Sequence, residues 1–294
     1  MSETRDGQRY YDTSLPPENG IENKYLGRGG GRGSTEAPAE KMPMDKESEV
    51  MDADFGKVVK LVKEPETAEL RYTDTVPLEE FRKQTIGIAG LGATGKAVAT
   101  TLSVMGHKGL WGSDPDEVEM KNVGTQGWHE RDIGQPKAEV LQDTLSNRRS
   151  TFIGNVYKFE DCFGGTGSVI PRRTTVFFCC VDTMRARVAI WNTLKAKHLL
   201  QGQKIWIESR IASRILRIMT IDLSDKESRK YYESTLYSDS SAFQGACTDR
   251  MTYYGAGIAA GLMVSQLVNW LNYGKVNMVD FMLETIGVGV TRIK

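Results

Sequence analysis

The first thing this sequence lacks is net charge: 38 Lys and Arg are matched by 38 Asp and Glu. A protein held mainly by phosphate backbones carries a basic excess, so the balance argues against nucleic acid as a partner. Cysteine is scarce as well. Four cysteines in 294 residues cannot staple a fold of this size. Two of them, Cys179-Cys180, sit in the apolar run Val176 to Val181, which reads as buried strand. A reducing compartment is therefore expected. Cys162, Cys179, Cys180 and Cys247 form no Cys-x-x-Cys pair, and no zinc site is expected. The three histidines, His107, His129 and His198, stand at no metal-ligand spacing and are expected at the surface or in loops.

Long hydrophobic runs are missing too. The most apolar stretch, Ala256 to Leu271, is 16 residues long and contains Ser265, Gln266 and Asn269. That is short and polar against the roughly 20 residues of a membrane span, and it reads as a core helix. Met1 to Gly20 is polar, with no signal-peptide core, so a cytoplasmic location is expected.

What is present divides in two. Residues 1–66 hold Pro16-Pro17, the run Gly27-Arg28-Gly29-Gly30-Gly31-Arg32-Gly33, and mixed charge with few large apolar side chains. Such a stretch cannot bury enough surface to offset its ordering entropy and is expected to be a flexible tail. Residues 67–294 are expected to form one domain. Pro77 to Lys83 reads as a short helix. Strands are expected at Thr85–Ala89, Lys108–Ser113, Thr151–Phe159, Thr174–Val181, Lys204–Ile207 and Ile215–Leu223. Helices are expected at Lys96–Met105, Gln135–Asn147, Met184–Lys197 and Met251–Asn272. Alternating strands and helices predict an α/β fold, a mostly parallel sheet with helices on both faces. The Ser- and Tyr-rich stretch from Tyr231 to Phe243 reads as a crossover loop over the site.

The chemistry concentrates at Gly90-Leu91-Gly92-Ala93-Thr94-Gly95, directly after a strand and opening a helix. The first glycine permits the tight turn, the second lets phosphates approach the backbone, and the third lets the helix pack on the strand. Asp114 lies 24 positions beyond Gly90, at the end of the next strand, where a carboxylate can hold ribose hydroxyls. That much fits NAD as well as ATP. The residues that follow separate the two: Asp116, Asn122, Gln126 and Lys137 make a dense polar set that an ATP site needs and an NAD site does not.

With these residues in view the sequence resembles the ThiF/MoeB superfamily, whose activating-enzyme fold is shared with ubiquitin activators. The family pattern is a glycine loop, then Asp-x-Asp-x-Val-x-x-x-Asn-x-x-Arg-Gln, then Ile-Gly-x-Pro-Lys, then an Asp with an Arg five residues on. Here these read Asp114-x-Asp116-x-Val118-x-x-x-Asn122-x-x-Thr125-Gln126, Ile133-Gly134-Gln135-Pro136-Lys137, and Asp182 with Arg187. The resemblance spans about Thr85 to Leu271. It implies a Rossmann-like fold, a homodimer, and an ATP- and Mg²⁺-dependent adenylyltransferase. The substrate it implies is the C-terminal carboxylate of a small ubiquitin-like or sulfur-carrier protein or peptide.

By the same resemblance Gly90, Gly92, Gly95, Asp114, Asp116, Asn122, Gln126 and Lys137 bind the nucleotide. Asp114 would hold the ribose, Lys137 would contact the phosphates, and Asp182 would bind Mg²⁺. Lys137, Asp182 and Cys247 are the catalytic candidates. Each has a plainer reading beside it: Lys137 a solvated helix lysine, Asp182 a helix N-cap, Cys247 a small residue at a loop-to-helix junction next to Arg250. Arg210 fits either a substrate carboxylate or a pairing with Glu208. One position departs from the pattern. Thr125 stands where the family has a phosphate-contacting arginine, and a hydroxyl replaces neither its charge nor its forked donors. Arg131, or an arginine from a partner subunit, would have to supply the charge. Arg71-Tyr72 resembles a family stretch that reaches the neighbouring subunit, but Asp74 falls where its second arginine stands. An inactive nucleotide-binding scaffold is thus the alternative expectation, and an NAD-dependent oxidoreductase the third.

Overall fold

The computed structural model describes residues 72, 74–146, 148, 150–163, 173–200, 204–237, 252–274, 279–287 and 289–294, with the backbone of two short strands before them. Those two, β1 (Ser48–Val50) and β2 (Val59–Leu61), pair antiparallel with Ser48 opposite Leu61. They lie inside the stretch expected to be tail.

The main sheet is built from β3 (Ile86–Ala89), β4 (Leu110–Ser113), β5 (Phe152–Asn155), β6 (Val176–Cys179), β7 (Ile205–Ala212), β8 (Ile215–Asp222), β9 (Val279–Glu284) and β10 (Gly289–Arg292). Its order is β10-β9-β8-β7-β6-β3-β4-β5. The run β5-β4-β3-β6-β7 is parallel, and β7 to β10 continue as an antiparallel meander. Every residue of β3, β4 and β6 is buried. The near-continuous apolar runs of β3 and β6, and of β4 up to Ser113, are what central parallel strands covered on both faces require.

Helices α1 (Leu78–Lys83), α2 (Ala93–Val104), α3 (Met120–Gln126), α4 (Lys137–Ser146), α5 (Met184–Ala196), α6 (Lys226–Ser234) and α7 (Tyr253–Tyr273) complete the fold. Ile86, Ile88, Val176, Phe178, Ile205 and Ile207 face one core with α2, α4 and α7. Phe177, Cys179 and Trp206, on the opposite face of the same strands, meet α5 and α6. Side chains alternate across a strand, so one run of sequence feeds both cores. The expected α/β architecture is what the structure has.

Several expectations change. Residues 231–234, expected in a loop, close helix α6. Asp225 caps that helix by accepting the Glu227 and Ser228 N–H groups, and Tyr232 is buried against Trp191 and Trp206. Residues 238–243 lie outside the described part. The strand expected at 204–207 runs on to Ala212, because β8 pairs with its whole length from Ile205 to Ala212. Helix α2 begins at Ala93 rather than Lys96, with the loop's third glycine inside its first turn. His107 lies in the loop between α2 and β4, as one of the expected placements had it, but it is fully buried there, its ring edge-on to Phe81, while His129 and His198 are exposed as expected. Helix α7 covers the apolar stretch, burying one face. No helix among the described residues is long and apolar enough to cross a membrane.

Candidate functional site

Strand order reverses at β3, whose following chain goes to β4 on one side while β6 lies on the other. The crevice beyond the strand ends at such a switch point is where open α/β sheets take ligands. The glycine loop fills it. Gly90 has φ +81, a left-handed conformation that a side chain resists. Its N–H donates to the Ser113 carbonyl at the end of β4 at 2.9 Å, and a Cβ there would stand 3.0 Å from the Cys180 carbonyl just past β6. The loop is thus wedged between the two neighbouring strand ends. A Cβ on Gly95 would lie 1.8 Å from the Gly90 carbonyl oxygen, so α2 can approach its strand only with glycine there. Gly92 is the N-cap of α2 and brings no capping side chain. The first-turn N–H groups of a helix lack intrahelical partners, and with the positive dipole end they suit an anion. A Cβ at Gly92 would meet only the Gln126 amide, at 3.6 Å.

Asp114 is buried directly behind this loop. Its Oδ2 accepts the Leu91 N–H at 2.6 Å and its Oδ1 the Asp116 N–H at 2.9 Å. Burial pushes its carboxyl above the ordinary carboxylate range, partly opposed by the Lys137 charge and by the two N–H groups. Lys137 opens α4 and is 4% exposed. Its Nζ donates to Asp116 Oδ2 at 3.1 Å, and its main-chain N–H to the Asp116 carbonyl at 3.0 Å. The Val118 N–H adds a bond to the Gln135 carbonyl at 2.9 Å, zipping the two segments together. A buried lysine tied to an acidic loop is not the solvated helix lysine of the plainer reading.

Asn122 and Gln126 are committed locally. The Asn122 Oδ1 accepts the Glu119 N–H at 2.9 Å in the capping box of α3. The Gln126 Oε1 accepts from Trp128 Nε1 at 3.1 Å. Thr125 is exposed and turns its hydroxyl back to the Lys121 carbonyl at 2.6 Å. Arg131 is 81% exposed and 3.8 Å from Asp132.

Asp182 follows β6 in the same crevice, two residues beyond Cys180. The plainer reading of Asp182 as a helix cap is corrected: Thr183 is the N-cap of α5, its Oγ1 accepting the Ala186 N–H at 3.2 Å. A β-branched hydroxyl residue next to the aspartate takes that role. The Asp182 carboxylate is exposed and makes no hydrogen bond among the described residues.

Beneath it lies a fully buried acid that sequence reasoning underrated. Glu208, opposite Cys179 in the sheet, accepts from Arg187 Nε at 3.1 Å, from Arg210 Nε, from Trp206 Nε1 at 3.3 Å and from the Tyr232 hydroxyl. Burial, with Glu208 alongside, holds the Tyr232 phenol well above its usual value. Arg187 also donates to the Ser209 carbonyl at 3.1 Å, and Arg210 to the Thr235 carbonyl and hydroxyl at 2.8 and 3.0 Å. Arg210 is therefore paired with Glu208.

No described thiol is primed as a nucleophile. Burial raises Cys162, pushes Cys180 up to about 12, and drives Cys179 well above the ordinary thiol value. Cys247, Arg250 and Arg71 lie outside the described residues. One neighbour of the loop escaped the sequence reading altogether. Lys96 Nζ sits 4.2 Å over the Trp128 ring and donates to the carbonyls of Gly127 and Gln126, the latter at 3.5 Å.

The family profile described as the ThiF family matches residues 66–289. Ubiquitin-like modifier-activating enzyme 5 of Caenorhabditis briggsae is 27% identical over 144 residues, 46% of this chain and 32% of that protein. Its Dictyostelium discoideum counterpart is 28% identical over 149 residues, 47% of this chain and 38% of that protein. The chain thus matches about a third of the length of these curated relatives. Among solved structures, PaaA aligns with a TM-score of 0.53 at 18% identity, covering 74% of each chain. E. coli MccB with AMPCPP and MccA aligns with a TM-score of 0.53 at 16% identity, over 73% of this chain and 64% of that one. E. coli MccB with ATP gives 0.51 at 14% identity, over the same shares. At such identities these structures share the fold.

Proposed function

The chain belongs to the ThiF family, and on that premise we propose that it is an ATP-dependent adenylyltransferase acting on the C-terminal carboxylate of a small carrier protein or peptide. The observation that carries the reading is the convergence at one switch point of a glycine loop, an uncapped helix start, buried Asp114 and Lys137, and the exposed carboxylate of Asp182. The α2 N-terminus and the open backbone at Gly92 receive phosphate. Lys137, fixed by Asp116, offsets its charge. Asp114 spends one lone pair of Oδ2 on the Leu91 N–H of the loop and one of Oδ1 on the Asp116 N–H, and keeps the others for ribose hydroxyls. Asp182 suits Mg²⁺, which takes one or two carboxylates with substrate phosphates and keeps several waters; the ion would neutralise phosphate charge there.

In the reaction a carboxylate oxygen of the substrate forms a bond to the α-phosphorus while the bond from that phosphorus to the bridging oxygen breaks. Pyrophosphate leaves with the electron pair. The attacking group is already ionised, so no proton has to be moved, and the protein's work is positioning and charge neutralisation. MccB is known in complex with MccA and with ATP, and the curated relatives activate ubiquitin-like modifiers; both favour a peptide or small-protein substrate here. Residues 67–294 are the proposed nucleotide-binding module, working as a homodimer, with Cys247 the candidate acceptor thiol.

ATP–pyrophosphate exchange tests this with peptides ending in glycine and with co-purifying small proteins. Exchange dependent on the peptide carboxylate is expected, and its loss in Asp182→Asn. Measurable ATP binding with no exchange for any carrier would overturn the enzyme reading. It would favour a nucleotide-binding scaffold, the reading that the turned-back hydroxyl of Thr125 supports.

A further inference from the structure

We propose that the Lys96 ammonium is a phosphate contact of this site, supplying from α2 the positive charge that Thr125 on α3 does not provide. The inference rests on ATP binding as proposed above and goes beyond it to a residue that no part of the motif pattern includes.

Lys96 follows Gly95 directly, and its N–H donates to the Gly92 carbonyl at 3.0 Å, so it belongs to the turn that opens the loop's helix. Its side chain crosses to the C-terminal end of α3, where it meets the carbonyls of Gln126 and Gly127 and the Trp128 ring. The Gln126 side chain in turn lies next to Gly92. Ammonium, amide and open glycine backbone therefore form one continuous patch.

An ammonium has three donors. Two are given to neutral carbonyls, and Lys96 makes no ion pair among the described residues. Lys83, Lys121, Lys137 and Lys195 each have a carboxylate partner. Asp132, the acid whose charge Lys96 feels, is turned to the His129 N–H at 3.0 Å. Partial burial lowers the Lys96 pKa from the ordinary lysine value, the mark of a cation short of anionic company. A half-buried charge left unpaired is costly, and an incoming phosphate relieves that cost. Thr125 offers no competing charge, its hydroxyl being spent within its own helix.

Calorimetric titration of the whole 294-residue chain with Mg²⁺ and either ATP or AMP tests the proposal. Lys96→Gln, which keeps an N–H donor for the carbonyls but loses the charge, is expected to weaken ATP binding roughly tenfold or more. AMP binding should stay within twofold, Lys96→Arg should stay near the wild type, and adding Thr125→Arg to Lys96→Gln should recover affinity. ATP affinity unchanged within twofold while Tm falls would overturn the proposal and leave Lys96 a helix-end brace. Equal losses for ATP and AMP would overturn it as well. A wild-type chain that binds no ATP would instead overturn the adenylyltransferase reading, and this inference with it. A second measurement needs no variant: amine acylation of Lys96 followed by mass spectrometry. Slowing by ATP but not by AMP is expected, and an unchanged rate at saturating ATP would overturn the proposal.

Discussion

The carboxylate of Asp114, at the end of one strand, accepts the main-chain N–H of Leu91 in the loop that leaves its neighbour, at 2.6 Å. The acid assigned by pattern to ribose is thus also the brace that shapes the glycine loop. Asp114→Ala would orphan the buried Leu91 donor, at a cost of about 1–3 kcal/mol, and loosen the loop. Both a lower midpoint in urea and a loss of ATP affinity are expected. Asp114→Asn keeps an acceptor without the charge that burial makes costly, and should be destabilised less than the alanine variant while still losing affinity. Stability unchanged in Asp114→Ala would dismiss the bracing role.

Glu208 answers two guanidiniums from a site with no solvent exposure. Breaking a buried ion pair by removing one member strands the other, typically at about 3–5 kcal/mol. Glu208→Gln is therefore expected to lower Tm by on the order of 10 °C. Arg187 belongs to the first turns of α5, directly after Asp182, so any Mg²⁺ dependence of nucleotide binding should weaken in the same variant. Thermal melts with and without Mg²⁺ and ATP read both effects.

His107 makes a pH prediction with a definite sign. Its Nδ1 accepts the Gly109 N–H at 3.1 Å, while Nε2 finds no partner in hydrogen-bonding geometry despite the nearby carbonyls of Phe81 and Gln84. Burial lowers its pKa from 6.5 to about 4. Between those values the unfolded chain binds a proton that the folded chain refuses, so stability falls as pH drops through that window and levels off below it. Going from pH 7 to pH 5 should cost the wild type about 2 kcal/mol more than it costs His107→Phe. Urea unfolding of both proteins at the two pH values measures the difference, and parallel losses would count against a neutral buried imidazole.

Legibility in the sequence followed the range of the interactions. The glycine loop, Asp114 at the next strand end and the unbroken runs of β3 and β6 are local patterns whose period or spacing implies one geometry, and the structure has it. What escaped depends on distant partners. Tyr232 looked like loop because nothing in its own neighbourhood announces Trp191 and Trp206. His107 looked superficial because its cover comes from Phe81, on helix α1 well before it in the chain. Lys96 looked like an ordinary helix lysine, since the carbonyls that hold it lie about 30 residues on. The cap of α5 failed at shorter range: Asp182 and Thr183 are both good caps by type, and only the backbone decides between them.

The packing of α2 against α7 has a temporal side. Val98, Ala99 and Leu102 of the loop's helix share their core with Ala259, Ala260, Met263, Val264 and Leu267, about 160 residues later in the chain, so these contacts close a long loop and form late. While the protein is being synthesised, every proposed phosphate ligand in the loop, on α2 and on α4 emerges long before the surface that steadies the loop's helix. A nascent chain ending before α7 would carry the whole motif and hold nucleotide poorly. Competence to bind would then wait until α7 has emerged and packed.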